Sequence, residues 1–168
     1  MSLPNLYEFH GNWRIYVDEI YEIFCNSVAH ANLSFRGLKI SCQYRPEYQG
    51  KHFGFWHMIS ENLDKNQSED DRVPDMRRCE RITWVAYLIQ HAEASNEITW
   101  WENKRGRDTH VVIWHEQENF VVILAKRQDY YLLKTCYCAE EHRRMTFIKE
   151  RAEYWGALKR LKPLKTEL

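Results

Sequence analysis

Four β-like segments in the second half of this 168-residue chain narrow its possible folds more than any other feature. Ile98–Trp101, Thr109–His115, Phe120–Ala125 and Tyr130–Cys136 are rich in β-branched and aromatic residues, and only Glu116–Asn119 and Lys126–Asp129 separate the last three. Connections that short join antiparallel neighbours and leave no room for the crossover that parallel strands need. The spacing therefore predicts an antiparallel meander, whose apolar faces helices must cover.

Three stretches have helical periodicity. After Gly11-Asn12, apolar residues recur at Trp13, Tyr16, Val17, Ile20, Phe24 and Val28, which predicts an amphipathic helix to about His30 with Asn12 as its N-cap. A second helix is expected to carry Pro74 in its first turn and to bury Met76, Cys79, Ile82, Val85, Ala86 and Ile89. A third, from about Glu140 to Leu161, is marked by Met145, Ile148, Ala152, Trp155 and Leu158 and expected to end at Pro163. Short aromatic runs broken by Gly37, Pro46 and Gly50 predict two more strands, near 35–43 and 52–59. The polar, mostly acidic stretch 61–71 reads as a mobile loop. The order α-β-β-α-β-β-β-β-α lacks strict βαβ alternation, so the expected fold is α+β, one domain over residues 1–168.

Lys+Arg 24 balances Asp+Glu 24, which removes the global basic excess of a non-specific nucleic-acid binder. The charge is nevertheless segregated, with 6 basic and 10 acidic side chains in residues 1–71 against 18 and 14 in residues 72–168. A basic face can still steer a polyanion. The absence of a long apolar stretch and of a signal-peptide pattern points to a cytoplasmic protein with no membrane partner. Five cysteines without C-x-x-C spacing read as reduced thiols. There is no H-E-x-x-H, and His110 and His115 fall on opposite strand faces, so no metal and no cofactor are expected. The lack of G-x-x-x-x-G-K, G-x-G-x-x-G and G-x-S-x-G removes the usual nucleotide-cradle and serine-hydrolase readings.

His57 is the leading candidate for chemistry. Alternating with Phe53, Phe55 and Ile59 on a predicted strand, it sits among aromatic rings, where desolvation favours the neutral imidazole that serves as general base. Arg77, Arg78 and Arg81 crowd the start of the second helix and suit an anion clamp, although Asp75 and Glu80 also offer them ordinary surface pairing. Thr135 shares a strand face with Tyr137, while Lys134 and Cys136 are expected on the opposite face. A hydroxyl and a cation beside a histidine suit phosphodiester chemistry. His142-Arg143-Arg144 opens the last helix and adds a possible acid–base partner. Trp100-Trp101 lies beside Lys104-Arg105-Gly106-Arg107, a mix that stacks bases and holds phosphates, with Trp101 as the candidate platform.

Phe35-Arg36-Gly37, Phe55-Trp56-His57, Arg78-Cys79-Glu80-Arg81-Ile82-x-Trp84, Tyr130-Tyr131-Leu132-Leu133-x-Thr135-x-Tyr137 and His142-Arg143-Arg144 together resemble small phage- and plasmid-borne proteins. These in turn are similar to the barnase–EndoU–colicin–RelE superfamily of metal-independent ribonucleases. The resemblance implies a four-stranded antiparallel sheet and a cleft in which a 2′-hydroxyl attacks the adjacent phosphorus without metal. It also implies His57, Arg81 and Thr135 as catalytic residues, with Arg77, Arg78, Lys134, Trp101, His142 and Arg143 binding substrate. RNA, tRNA among the candidates, would be the substrate, and an antitoxin or host protein a further partner. The alternatives are a non-catalytic mobile-element protein that inhibits a host factor or defence system, and an RNA-binding module that does not cleave.

Overall fold

The computed structural model describes residues 2–62 and 72–166, so the expected acidic loop lies, from residue 63 onward, outside the described residues. Helix α1 (Trp13–Phe24) runs into a π-helical turn, Cys25–Ala29, and is followed by strands β1 (Ser34–Phe35) and β2 (Leu38–Cys42). Next come helix α2 (Phe53–Ile59), strands β3 (Ser60–Glu61) and β4 (Val73–Pro74), and helices α3 (Met76–Glu80) and α4 (Ile82–His91). Strands β5 (Ile98–Arg105), β6 (Asp108–His115), β7 (Phe120–Lys126) and β8 (Tyr130–Cys138) precede helix α5 (Glu141–Thr166). The fold is α+β, as the element order predicts. Asn12 caps α1, its side chain accepting from the Ile15 amide at 3.1 Å.

Strands β5 to β8 form the expected antiparallel meander. The whole six-stranded sheet, ordered β1-β2-β8-β7-β6-β5, is mixed, because β2 pairs parallel to β8. The long chain between those two strands supplies the crossover that a parallel pair requires. The β1–β2 hairpin turns on Arg36 (φ 49) and Gly37 (φ 82), two positive-φ residues that match the right-handed twist of the strands. The sheet curls until its edges meet through side chains: the rings of Phe35 and Trp100 lie 5.4 Å apart and perpendicular, and the Arg36 guanidinium stands 4.7 Å over Trp100.

Both faces of the sheet are covered. On one, Val111, Ile113, Val122, Leu124, Leu133 and Cys136 pack against Tyr16, Ile20 and Phe24 of α1, Phe55 and Met58 of α2, and Val85 and Ile89 of α4. On the other, Trp101, Val112, Trp114, Val121 and Ile123 receive Phe147 of α5. That phenyl ring lies between two indoles, 5.5 Å from Trp101 and 5.4 Å from Trp114.

Four expectations require correction. Residues 52–59 do not form a strand: α2 occupies them, burying Gly54, Phe55, Met58 and Ile59 and leaving Phe53, Trp56 and His57 half-buried. Its first turn is fixed by tertiary contact, since the Gly54 amide donates to the Gln43 carbonyl at 2.7 Å in place of a side-chain cap. Pro74 belongs to β4, and Asp75, accepting from the Arg77 amide at 2.9 Å, caps the helix that follows. Of the apolar residues expected to anchor the last helix, Trp155 does so, its indole donating to the Trp100 carbonyl at 2.8 Å, but Met145 and Leu158 face outward, 64% and 39% exposed. The buried anchor is Phe147, with Arg144, Arg151 and Tyr154 half-buried on the same face. The helix also continues past Pro163 to Thr166, since a proline can distort a helix without ending it.

A Cβ added at Gly54 would stand 3.1 Å from the Gln43 carbonyl oxygen and 3.2 Å from its nitrogen. Alanine ordinarily favours a helix over glycine by about 1 kcal/mol. Here Gly54→Ala is expected to destabilise by about 1–3 kcal/mol, as overpacking against backbone does. Urea denaturation of the two proteins checks the sign.

Candidate active site

Where α5 stops covering the second sheet face, a cleft of about 460 Å³ opens, lined by His57, Arg105, His110, Lys134, Thr135, Tyr137 and Arg143 above a floor of Val112, Ile123 and Phe147. Each polar wall residue has a structural reason to be there. His110 begins the face that Val112 and Trp114 continue, because alternate strand residues share a side. Arg105 comes from the end of the neighbouring strand β5.

Lys134 reaches the cleft through a β-bulge. Ile123 pairs with Thr135 and Leu124 with Leu133, so Lys134 is the extra residue in β8. A bulge of this kind re-aims a side chain. Lys134 therefore lines the cleft beside Thr135, which corrects the expectation that it points away with Cys136. Leu133 and Cys136 both remain in the core.

His57 enters from α2. Its ring packs on Phe53 at a centroid distance of 4.4 Å, an i,i+4 contact that helical spacing provides. The Thr135 hydroxyl donates to the His57 main-chain carbonyl at 3.0 Å, tying α2 to the bulged strand. Thr135 therefore lines the cleft and at the same time positions the main chain at His57. His57 also lines a second groove of about 370 Å³ whose aromatic walls are Trp13, Tyr48, Phe53 and Trp56.

The cleft is basic. Lys134 and Arg143 have no carboxylate within 4.0 Å among the described residues, and Arg105 shares Glu150, at 3.6 Å, with the Trp101 indole. Burial, followed by repulsion from Lys134, lowers the pKa of His110 from 6.5, with Asp108 opposing and Arg105 and Arg127 reinforcing. The neutral imidazole is therefore favoured. Burial raises the Tyr137 phenol, opposed by Arg143, Arg105 and Arg78.

The remaining predicted residues fall elsewhere. Arg77, Arg78 and His142 line an adjoining recess of about 310 Å³ together with Glu61, Asp75 and Glu140, and Arg143 borders both it and the cleft. Its charges are largely paired: Arg78, 8% exposed, donates to the Ser60 carbonyl at 2.9 Å and to Glu61 at 3.3 Å, and Arg77 lies 3.5 Å from Asp75. Arg78 is accordingly a clasp between α3 and β3. His142 faces Glu140 at 3.5 Å, both of them exposed. Arg81 does not meet His57: it sits between α3 and α4, its guanidinium 5.0 Å over Trp84, and lines neither cavity. Trp101 offers no stacking platform, being wholly buried with its indole donating to Glu150 at 3.1 Å.

Sequence reasoning missed His110 as a site residue, although the alternation of β6 carries the signal: His110 is the polar end of an otherwise apolar face, and Arg105, read from the sequence only within a basic turn beside Trp101, joins it in the cleft. Compared with protein-family models, curated proteins and solved structures, the chain matches none.

Two outcomes follow. A lowered folded-state pKa means that the unfolded chain takes up the His110 proton first, so this residue withdraws stability as pH falls from about 6.5 through its depressed value. We expect an NMR titration of His110 to give a midpoint below 6.5, and Lys134→Met to move it upward. Thr135→Val should cost about 1 kcal/mol, the net worth of one hydrogen bond, and shift the His57 ring resonances. Unchanged resonances would remove its positioning role.

Proposed function

We propose that the chain is a metal-independent endoribonuclease similar to the barnase–EndoU–colicin–RelE superfamily. The observation that carries this reading is the meeting of two imidazoles, His57 and His110, with Lys134, Arg105 and Arg143 around one basic cleft. Cleavage within RNA needs a base to take the 2′-hydroxyl proton, an acid to protonate the departing 5′-oxygen, and cations to stabilise the charge on phosphorus between those events. His110, whose neutral form is favoured, suits the base. His57, carried on the opposite wall, supplies the acid, while Lys134 and the two arginines hold the phosphate. The products are a 2′,3′-cyclic phosphate and a free 5′-hydroxyl. The aromatic groove on the other side of His57 suits a base flanking the scissile phosphate.

The test is incubation with tRNA and total RNA without Mg²⁺ or Mn²⁺. We expect cyclic-phosphate ends, a rate loss of about 10²–10⁴ in His57→Ala and His110→Ala, and about 10²–10³ in Lys134→Ala. Intact RNA after incubation with the folded wild-type chain would overturn the proposal.

A second reading, a non-catalytic mobile-element protein that binds a host protein, draws on the outer face of α5, where Met145, Ile148 and Leu161 are exposed. Large apolar side chains of this sort anchor protein interfaces. Intact RNA together with stoichiometric capture of one host protein, lost in Met145→Glu, would favour it.

A further inference from the structure

At the head of α2, outside the lining of the basic cleft, Cys25, His30 and His52 bring three ligand atoms within 4.8 Å of one another. The juxtaposition has two structural causes. The π-helical turn closes with the His30 amide donating to the Cys25 carbonyl at 2.8 Å, a five-residue step that brings Cys25 and His30 to one side of the helix end. Single π turns are uncommon and are frequent at functional sites. His52, at the head of α2, is held against them by aromatic rings, 4.8 Å from Tyr44 and 5.7 Å from Tyr21, while the Tyr44 hydroxyl donates to the Ala29 carbonyl at 2.9 Å.

We propose that Cys25, His30 and His52 form a zinc site. The two Nε2 atoms lie 3.4 Å apart, and tetrahedral zinc with Zn–N bonds of about 2.0–2.1 Å holds two nitrogens at about 3.3–3.4 Å. A thiolate and two imidazoles are a donor set that zinc prefers over Mg²⁺ or Ca²⁺. Cys25 binds as thiolate, its proton passing to solvent, and a water takes the fourth position.

The outer shell supports the assignment. The Nδ1 atom of His52 is buried and has no hydrogen-bond partner, and the Glu47 carboxylate stands 3.9 Å from it, just outside hydrogen-bond range. A ligating imidazole directs its other nitrogen to a carboxylate, so Glu47 needs only to close that gap. The bound ion would join the end of α1 to the head of α2, five positions before His57. It is a staple and takes no part in the cleft chemistry.

The test uses the full chain, stripped of metal and titrated with Co²⁺ and then Zn²⁺. We expect one Co²⁺ per chain, visible bands of tetrahedral Co²⁺ with a thiolate charge-transfer band, and displacement by Zn²⁺. Cys25→Ser should abolish the charge-transfer band, and His30→Gln, an exposed position that leaves the fold intact, should weaken Zn²⁺ binding by more than about tenfold. Glu47→Gln should weaken it by about tenfold, as loss of an outer-shell partner does. Either a folded wild-type chain that takes up neither ion, or a charge-transfer band that survives in Cys25→Ser, would overturn the proposal and leave the His30–His52 contact as a hydrogen bond.

Discussion

Strands β6 and β7 are apolar on both faces: Val111, Ile113, Val122 and Leu124 point one way, Val112, Trp114, Val121 and Ile123 the other, and none is more than 9% exposed. Burial of each such side chain contributes about 1.5–3 kcal/mol, so a layer on one face alone would leave much of that energy ungained. Helices α1, α2 and α4 cover the first face. Among the described residues the second face has only α5, a highly charged helix that reaches it through Phe147 and through two arginines, Arg144 and Arg151, standing 5.4 and 5.3 Å over Trp114. The cleft begins where this narrow cover ends, as the floor passes from Val112 and Ile123 to His110 and Thr135.

From that geometry follows the way the sheet delivers cations. A regular strand would alternate Lys134 away from Thr135. One inserted residue places both at the cleft, and the Thr135 hydroxyl then fixes the helix that carries His57. The close approach of Gly54 to the Gln43 backbone fixes the same helix from its other end. A substitution in β2 that displaced Gln43 would thus be felt at His57, although nothing in β2 lines the large cleft.

Local signals made the meander and α1 legible, because turn lengths, period and the Asn12 cap are written within a few residues of where they act. The stretch that became α2 was ambiguous: Phe53, Phe55, His57 and Ile59 satisfy a period of two, whereas Gly54, Phe55, Met58 and Ile59 satisfy a helix. A contact with Gln43, invisible in the sequence, decides between them. The convergence of His57, Lys134, Thr135 and Arg143 was legible only as residue types. The bulge that turns Lys134 depends on register with β7, and a register is a property of two strands. Arg81 and Trp101 misled for the opposite reason, since their types suit RNA while packing assigns one to Trp84 and the other to the core. Cys25, His30 and His52 match no familiar ligand spacing, and only a π turn makes neighbours of the first two.

Zero net charge conceals how unevenly the carboxylates are used. Glu116 takes Arg144 and Arg151, Glu150 takes Arg105 and the Trp101 indole, and Asp75 and Glu61 take Arg77 and Arg78. These pairs hold α5 to the sheet and α3 to β3, and those that solvent reaches contribute little energy each. Their larger consequence is spatial, because acids engaged in clasping helices leave Lys134 and Arg143 without a near carboxylate among the described residues. Burial is the main cause of the depressed His110 pKa, and the resulting field adds to it, Lys134 being the largest charged contributor. A chain neutral as a whole thereby presents one cationic cleft, and an anion approaching it meets a local potential that the total charge does not reveal.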